Sequence, residues 1–137
     1  MPPDDILLNK AAVIERCIRR IRAEHAANPA LDNFTHVDAL TLNVERACQA
    51  AIDMAMHLVA RHRLGMPQSS GEAFRILEKG GFLSAPLARA MQSMTGFRNV
   101  AVHQYEELDP EILRWVVNQG PLDWIAYCAA LGVTIEP

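Results

Sequence analysis

With 137 residues, half of them apolar, this chain has the length of one domain and the side chains for one sizeable core. Its formal net charge of −3 and pI near 5.9 exclude a protein that holds nucleic acid by bulk positive charge, so any such contact must come from a local patch or an assembly. Aromatic residues make up only 6%, and strand-type runs of Val, Ile, Thr and Tyr are scarce beside the Ala, Leu, Arg, Glu and Met that favour helices.

The predicted elements begin at Asp4 or Asp5, either of which can cap a first helix. Ile6, Val13, Ile14, Cys17, Ile18 and Ile21 then recur at helical spacing. The opposite face carries Lys10, Glu15, Arg16, Arg19, Arg20, Arg22 and Glu24, which read as a solvated helix face. Asn28-Pro29 ends this helix, because proline disfavours helix in the residue before it, and a polar connection runs from Asn28 to Phe34. Thr35-His36-Val37-Asp38 reads as a capping-box-like start to the longest helix, 35–63. Its stripe is Val37, Leu40, Val44, Ala47, Cys48, Ala51, Ala55, Leu58 and Val59. Gly65-Met66-Pro67 closes it, with Arg61 and Arg63 placed against its C-terminus.

Ser69-Ser70-Gly71-Glu72 is a second capping box, opening a short helix with Phe74, Ile76 and Leu77 that Gly80-Gly81 closes. Ser84 with Pro86 opens a fourth helix, on which Leu87, Met91, Met94 and Phe97 share a face. Asp109-Pro110-Glu111 starts a fifth, and Gly120-Pro121 should kink or interrupt it before Leu122, Trp124, Ile125, Cys128 and Leu131. The pattern predicts an all-α antiparallel bundle of about five helices in a single domain, 1–137. No apolar run approaches the ~18 residues of a membrane span, and no apolar leader follows Met1-Pro2-Pro3. Cysteines at 17, 48 and 128 are odd in number and widely spaced among apolar positions, as buried free thiols in a reducing compartment would be. A cytoplasmic protein without membrane contact is expected.

The fourth helix leads into Phe97-Arg98-Asn99-Val100-Ala101-Val102-His103-Gln104-Tyr105. A fixed cation, a group that titrates near neutral pH and a phenol are what chemistry on a phosphate ester needs. Neutral His103 can take a proton from an RNA 2′-hydroxyl, or its protonated form can give one to the leaving oxygen. Arg98 can hold the non-bridging oxygens with two donors, and Asn99 can orient the imidazole or the phosphate. Asn99 and His103 are four apart and share a face, whereas Arg98 and His103 are five apart and diverge by about 140°. Either the helix ends near His103, or a second copy of the chain supplies the missing group. Gly96 lets another backbone come close at that level. The plainer reading pairs Arg98 with Glu106, Glu107, Asp109 or helix carbonyls and leaves His103 at the surface.

The spacing Arg-x4-His-x-Tyr at Arg98, His103 and Tyr105 resembles the motif of the HEPN superfamily, and specifically of its HepT-like toxins. Leu42 through His57 is similar to that family's long second helix, and Leu64 through Phe74 to its connection into the short helix. The likeness runs over roughly residues 4 to 132, with the blocks in order and the three motif residues intact. It implies a HEPN-fold homodimer with the motif helices facing each other. It also implies a metal-independent endoribonuclease without cofactor, the toxin of a type II- or VII-like toxin–antitoxin system. Arg98 and His103 would be catalytic with Asn99 auxiliary. Tyr105 would be the residue to which a minimal nucleotidyltransferase antitoxin transfers AMP, silencing RNA cleavage. The rival reading is a non-catalytic HEPN module that docks the nucleotidyltransferase; the acidic pI favours it and the intact Arg98/His103 pair opposes it.

Two further residues are candidates outside the motif. Asp53 and His57 stand four apart on the long helix with Arg61 four further on, as a charge ladder or as supports for the motif helix. His57 and His62 are five apart with no carboxylate at ligand spacing, so no metal site is expected.

Overall fold

Most helices of this chain start at a side chain that takes up amide N–H groups left unpaired in the first turn. The computed structural model describes residues 2–103 and 109–137, with the backbone alone for 100–103. It contains α1 (Asp5–Ala27), α2 (Phe34–Arg61), α3 (Ser70–Lys79), α4 (Ala85–His103) and α5 (Pro110–Ala130). The regular structure among the described residues is all helical. Asp4 Oδ1 accepts from the Leu7 N–H at 3.0 Å, Ser69 Oγ from Glu72 at 3.2 Å, Ser84 Oγ from Leu87 at 3.3 Å and Asp109 Oδ1 from Glu111 at 2.9 Å.

The second helix departs from its expected cap. Asn33, not Thr35, takes the Thr35 and His36 N–H groups, at 3.0 and 3.3 Å, so α2 starts at Phe34. An asparagine oxygen is among the best N-caps, and this one reaches two donors at once. The helix also closes earlier than Gly65. Arg63 takes a left-handed conformation with φ 53°, and the Leu64 N–H returns to the Val59 carbonyl at 3.0 Å.

α1 and α2 lie antiparallel. Asp4 meets His57 and Arg61, Lys10 meets Asp53, and Glu24 meets His36, so positions fall along one helix as they rise along the other. Arg61 therefore turns to Asp4 rather than to its own helix carbonyls. α2 is the central element and packs on all four others. That explains why Thr41, Asn43, Ile52 and Met54 are buried beside the predicted stripe: α2 has neighbours on more than one side. On α1 the buried stripe is Leu7, Ala11, Ile14, Cys17, Ile18 and Ile21, while Ile6 is 46% exposed. Leu7 is in step with Ala11 and Ile14, and Ile6 is turned about 100° away.

α5 runs unbroken through Pro121, against the expected interruption. Proline removes one donor, so only the Val117 carbonyl loses its helix partner. Val116, Val117, Gly120, Pro121 and Trp124 are all buried and hold the helix on the core. Leu122, expected with the apolar stripe, is exposed. Beyond α5 the chain returns over α1: Val133 and Ile135 are buried, and the Glu136 N–H donates to Glu15 Oε2 at 2.7 Å.

Candidate active site

The motif helix α4 is seated by a repeating face of Ala88, Met91, Met94, Thr95 and Phe97, all buried. Gln92 Nε2 donates to the Gly71 carbonyl at 3.2 Å, which ties α4 to the start of α3. Cys48 Sγ lies 3.6 Å from the Met94 carbonyl, which ties it to α2. On the other side, Gly120 of α5 is small enough to admit the Met94 methyl; a Cβ there would come within 3.4 Å of it. Three elements thus fix α4 one turn before Arg98.

Arg98 follows the buried Phe97 and is half-buried itself; Asn99 is exposed. Arg98 Nη1 donates to Asn99 Oδ1 at 3.3 Å, so the guanidinium and the amide form one polar pair. Arg98 also lies near α2. Burial pushes the Cys48 thiol up to about 12, the Arg98 charge pulls against that, and Glu45 adds to it. Among the described residues Arg98 has no ion-pair partner. Gly96 is exposed, and a Cβ built on it meets nothing within 4 Å. Gly96 is turned about 160° from Arg98 and only about 20° from position 103, so the open face of α4 is that of the His103 position. Cys48 of α2 lies within reach of the Arg98 charge, with Glu45 one turn before it on the same helix. Cys48 stands in the apolar stripe of α2, and nothing in that spacing points to α4.

α4 stays helical from Arg98 through His103, so those backbone positions are turned about 140° from each other on one axis. The His103 side chain lies outside the described residues, as does Tyr105 with its neighbours Glu106 and Glu107. Asp53 and His57 are brought together with α1 instead. Lys10 Nζ is 3.0 Å from Asp53 Oδ2, Gln49 Nε2 donates to Asp53 Oδ1 at 2.9 Å, and His57 Nε2 is 2.6 Å from Asp4 Oδ2. Among the described residues none of their hydrogen bonds reaches α4. Asp4 itself accepts from His57, the Leu7 N–H and Arg61, which hold its carboxyl well below the usual carboxylate range. No cluster of three His, Cys, Asp or Glu placed for a metal ion occurs among the described residues.

Residues 12–129 match the profile of the family described as ribonuclease HepT-like. This chain belongs to the ribonuclease HepT-like family. It is 40% identical over 116 residues to the mRNA nuclease HepT of Shewanella oneidensis, covering 84% of this chain and 87% of that one. It is 33% identical over 103 residues to the tRNA nuclease HepT of Aphanizomenon flos-aquae, covering 69% and 70%. The fold is that of the Shewanella oneidensis HEPN toxin, solved tri-AMPylated in complex with an MNT antitoxin. The TM-score is 0.89 at 36% identity, over 94% of this chain and 98% of that one. Among the described residues the order of five helices, with Arg98 and His103 on the fourth, is thus that of the HEPN fold.

Proposed function

We propose that residues 1–137 form one HEPN domain that acts as the ribonuclease toxin of a toxin–antitoxin pair. In this reading it is a cytoplasmic, metal-independent endoribonuclease that works as a homodimer. A cognate minimal nucleotidyltransferase silences it by AMPylating Tyr105. The observation that carries the reading is the Arg98–Asn99 pair on a helix that continues through His103, in a chain of the ribonuclease HepT-like family. The nuclease names of its relatives and the antitoxin-bound HEPN toxin support it.

The chemistry follows from the groups. His103 as a neutral base takes the 2′-hydroxyl proton of RNA, and the 2′-oxygen attacks the adjacent phosphorus. The P–O5′ bond breaks, and a second His103, from the partner copy, protonates the departing 5′-oxygen. The products are a 2′,3′-cyclic phosphate and a 5′-hydroxyl. Arg98 donates to the non-bridging oxygens where negative charge builds. The divergence of Arg98 and His103 along one helix supports a site completed by two copies, with the open surface at Gly96 giving room for the second. For AMPylation, the Tyr105 oxygen attacks the α-phosphorus of ATP and pyrophosphate leaves. The added phosphodiester charge then sits near the proposed phosphate site.

The test is RNA cleavage by the purified chain with and without chelator. Cleavage should survive chelation, and His103→Ala should lower it by about 10²- to 10⁴-fold while the protein stays folded. Unaltered cleavage by His103→Ala would overturn the mechanism. A chain that binds its nucleotidyltransferase but cleaves no RNA would be the non-catalytic docking module instead.

A further inference from the structure

The chain has two tryptophans with opposite fates. Trp124 is fully buried in the core, while Trp115 is 53% exposed on the outer face of α5. Trp115 does not stand alone. It borders a shallow cavity of about 380 Å³ whose other walls are Glu111, Arg114, Asn118 and Gln119. Gln119 Nε2 donates to Asp123 Oδ1 at 3.1 Å, which fixes the amide and leaves its carbonyl oxygen and second N–H for a ligand. A flat aromatic face, a guanidinium, two amides and a carboxylate within little more than two turns of helix match the chemistry of a nucleotide with an unpaired base. Every base has a π-face that stacks on indole, amides and carboxylates pair with base edges, and a guanidinium pairs with phosphate.

The position fits as well. Gly120 of α5 packs on Met94 of α4, and six residues between the two helices suit the antiparallel pairing of a bundle. Four residues, about 6 Å of helix, separate Met94 from Arg98 and Gly120 from Val116. Val116 therefore stands near the height of Arg98, and Trp115 one step on, turned about 140° from Gly120 onto the outer face of α5. Stacking also answers the charge problem: a chain of net charge −3 gains little from bulk electrostatics, and a π-platform needs none.

We propose that the Trp115 face of α5 is a subsite for single-stranded RNA. One unpaired base stacks on the Trp115 indole, Asn118, Gln119 and Glu111 meet its polar edge, and Arg114 meets an adjacent phosphate. The proposal rests on the ribonuclease reading above and names residues that hold its substrate. It does not require them to take part in the bond-breaking step.

The experiment titrates the full-length His103→Ala protein, which keeps RNA intact, with a mixed-sequence single-stranded oligoribonucleotide, following tryptophan emission. Saturable quenching is expected, because Trp115 is accessible and Trp124 is not. A fully paired duplex of the same sequence should not quench. Adding Trp115→Ala should weaken binding, read by an end-labelled RNA, by about 5- to 150-fold, the worth of one stacked base. Trp115→Phe should recover part of that loss. In the protein with His103 intact, Trp115→Ala should raise KM and leave kcat near its original value.

Superimposable binding curves with and without Trp115 would overturn the subsite. So would unchanged RNA binding with a loss of self-association in Trp115→Ala, which would make Ile112, Trp115 and Leu122 a protein interface. The two readings fail separately. Quenching without any cleavage by the wild-type chain sinks the ribonuclease and keeps the subsite. Cleavage with an unchanged KM in Trp115→Ala does the reverse.

Discussion

At Cys48 two effects oppose each other, and burial wins. The thiol is enclosed between α2 and α4, and its ionisation is pushed up to about 12 despite the nearby Arg98 charge. Cys128 is pushed up to about 12 as well, mainly by burial, and Cys17 is raised for the same first reason. Since the thiolate is the nucleophile, all three free cysteines should resist alkylation near pH 8 in the folded protein and react together once it unfolds. Fast labelling of any one under native conditions, read by mass, would contradict their burial. Asp4 shows the opposite sign. Its folded carboxyl is held below the ordinary value of 3.8, chiefly by His57, so its contribution to stability is present above that value and declines as pH falls below it. The melting-temperature gap between wild type and Asp4→Asn should hold steady near pH 5 and narrow below about pH 4; a gap that widens in acid would reverse the assignment. For Tyr105, co-expression with the cognate nucleotidyltransferase should add the mass of AMP to the wild-type chain and not to Tyr105→Phe. Neutralisation of the Phe variant would show that the partner acts by docking.

At the scale of one element, α5 carries the most conflict between local rule and tertiary need. Gly120 and Pro121 are both poor residues for a helix interior, yet the helix passes through them because both are buried against α4 and the core. A Cβ on Gly120 would lie 3.2 and 3.3 Å from the Trp124 ring and 3.4 Å from the Met94 methyl. Met94 can shift its flexible end, but the fully buried Trp124 ring has nowhere to go. Helix propensity favours alanine over glycine by about 1 kcal/mol, and overpacking costs about 1–3 kcal/mol. Gly120→Ala should therefore lower stability by about 1 kcal/mol net, seen as a lower urea midpoint. A raised midpoint would mean the ring does yield.

For the whole molecule the decisive question is whether one copy is enough. α4 alone turns Arg98 and His103 about 140° apart, and the face at Gly96 is open. A site that takes its base from one His103 and its acid from the other needs both copies intact. Equal amounts of wild-type and His103→Ala protein, unfolded and refolded together, should therefore keep about a quarter of wild-type cleavage, the share of dimers with two intact copies. Retention of about half, with mixed dimers confirmed by mass, would mean that a single His103 serves each site.

Helix number, order and most starts were legible because they depend on local chemistry. Asp4, Ser69, Ser84 and Asp109 cap where a side-chain oxygen precedes an apolar-periodic run, and Met91, Met94 and Phe97 mark the buried face of α4. The motif Arg98-x4-His103-x-Tyr105 was legible as a string, and with it the family to which the chain belongs. What the sequence could not decide was everything set by neighbours distant in the chain. Leu7 replaces Ile6 in the core because α1 meets α2 at one rotation only. Thr41 and Asn43 are buried because α2 sits at the centre of the bundle. Arg61 leaves its own helix end because Asp4 comes within reach across α1 and α2. The two tryptophans differ for the same reason: nine residues apart on one helix, they point to opposite sides of α5, and the packing of α1, α2 and α4 against that helix determines which is core and which faces water.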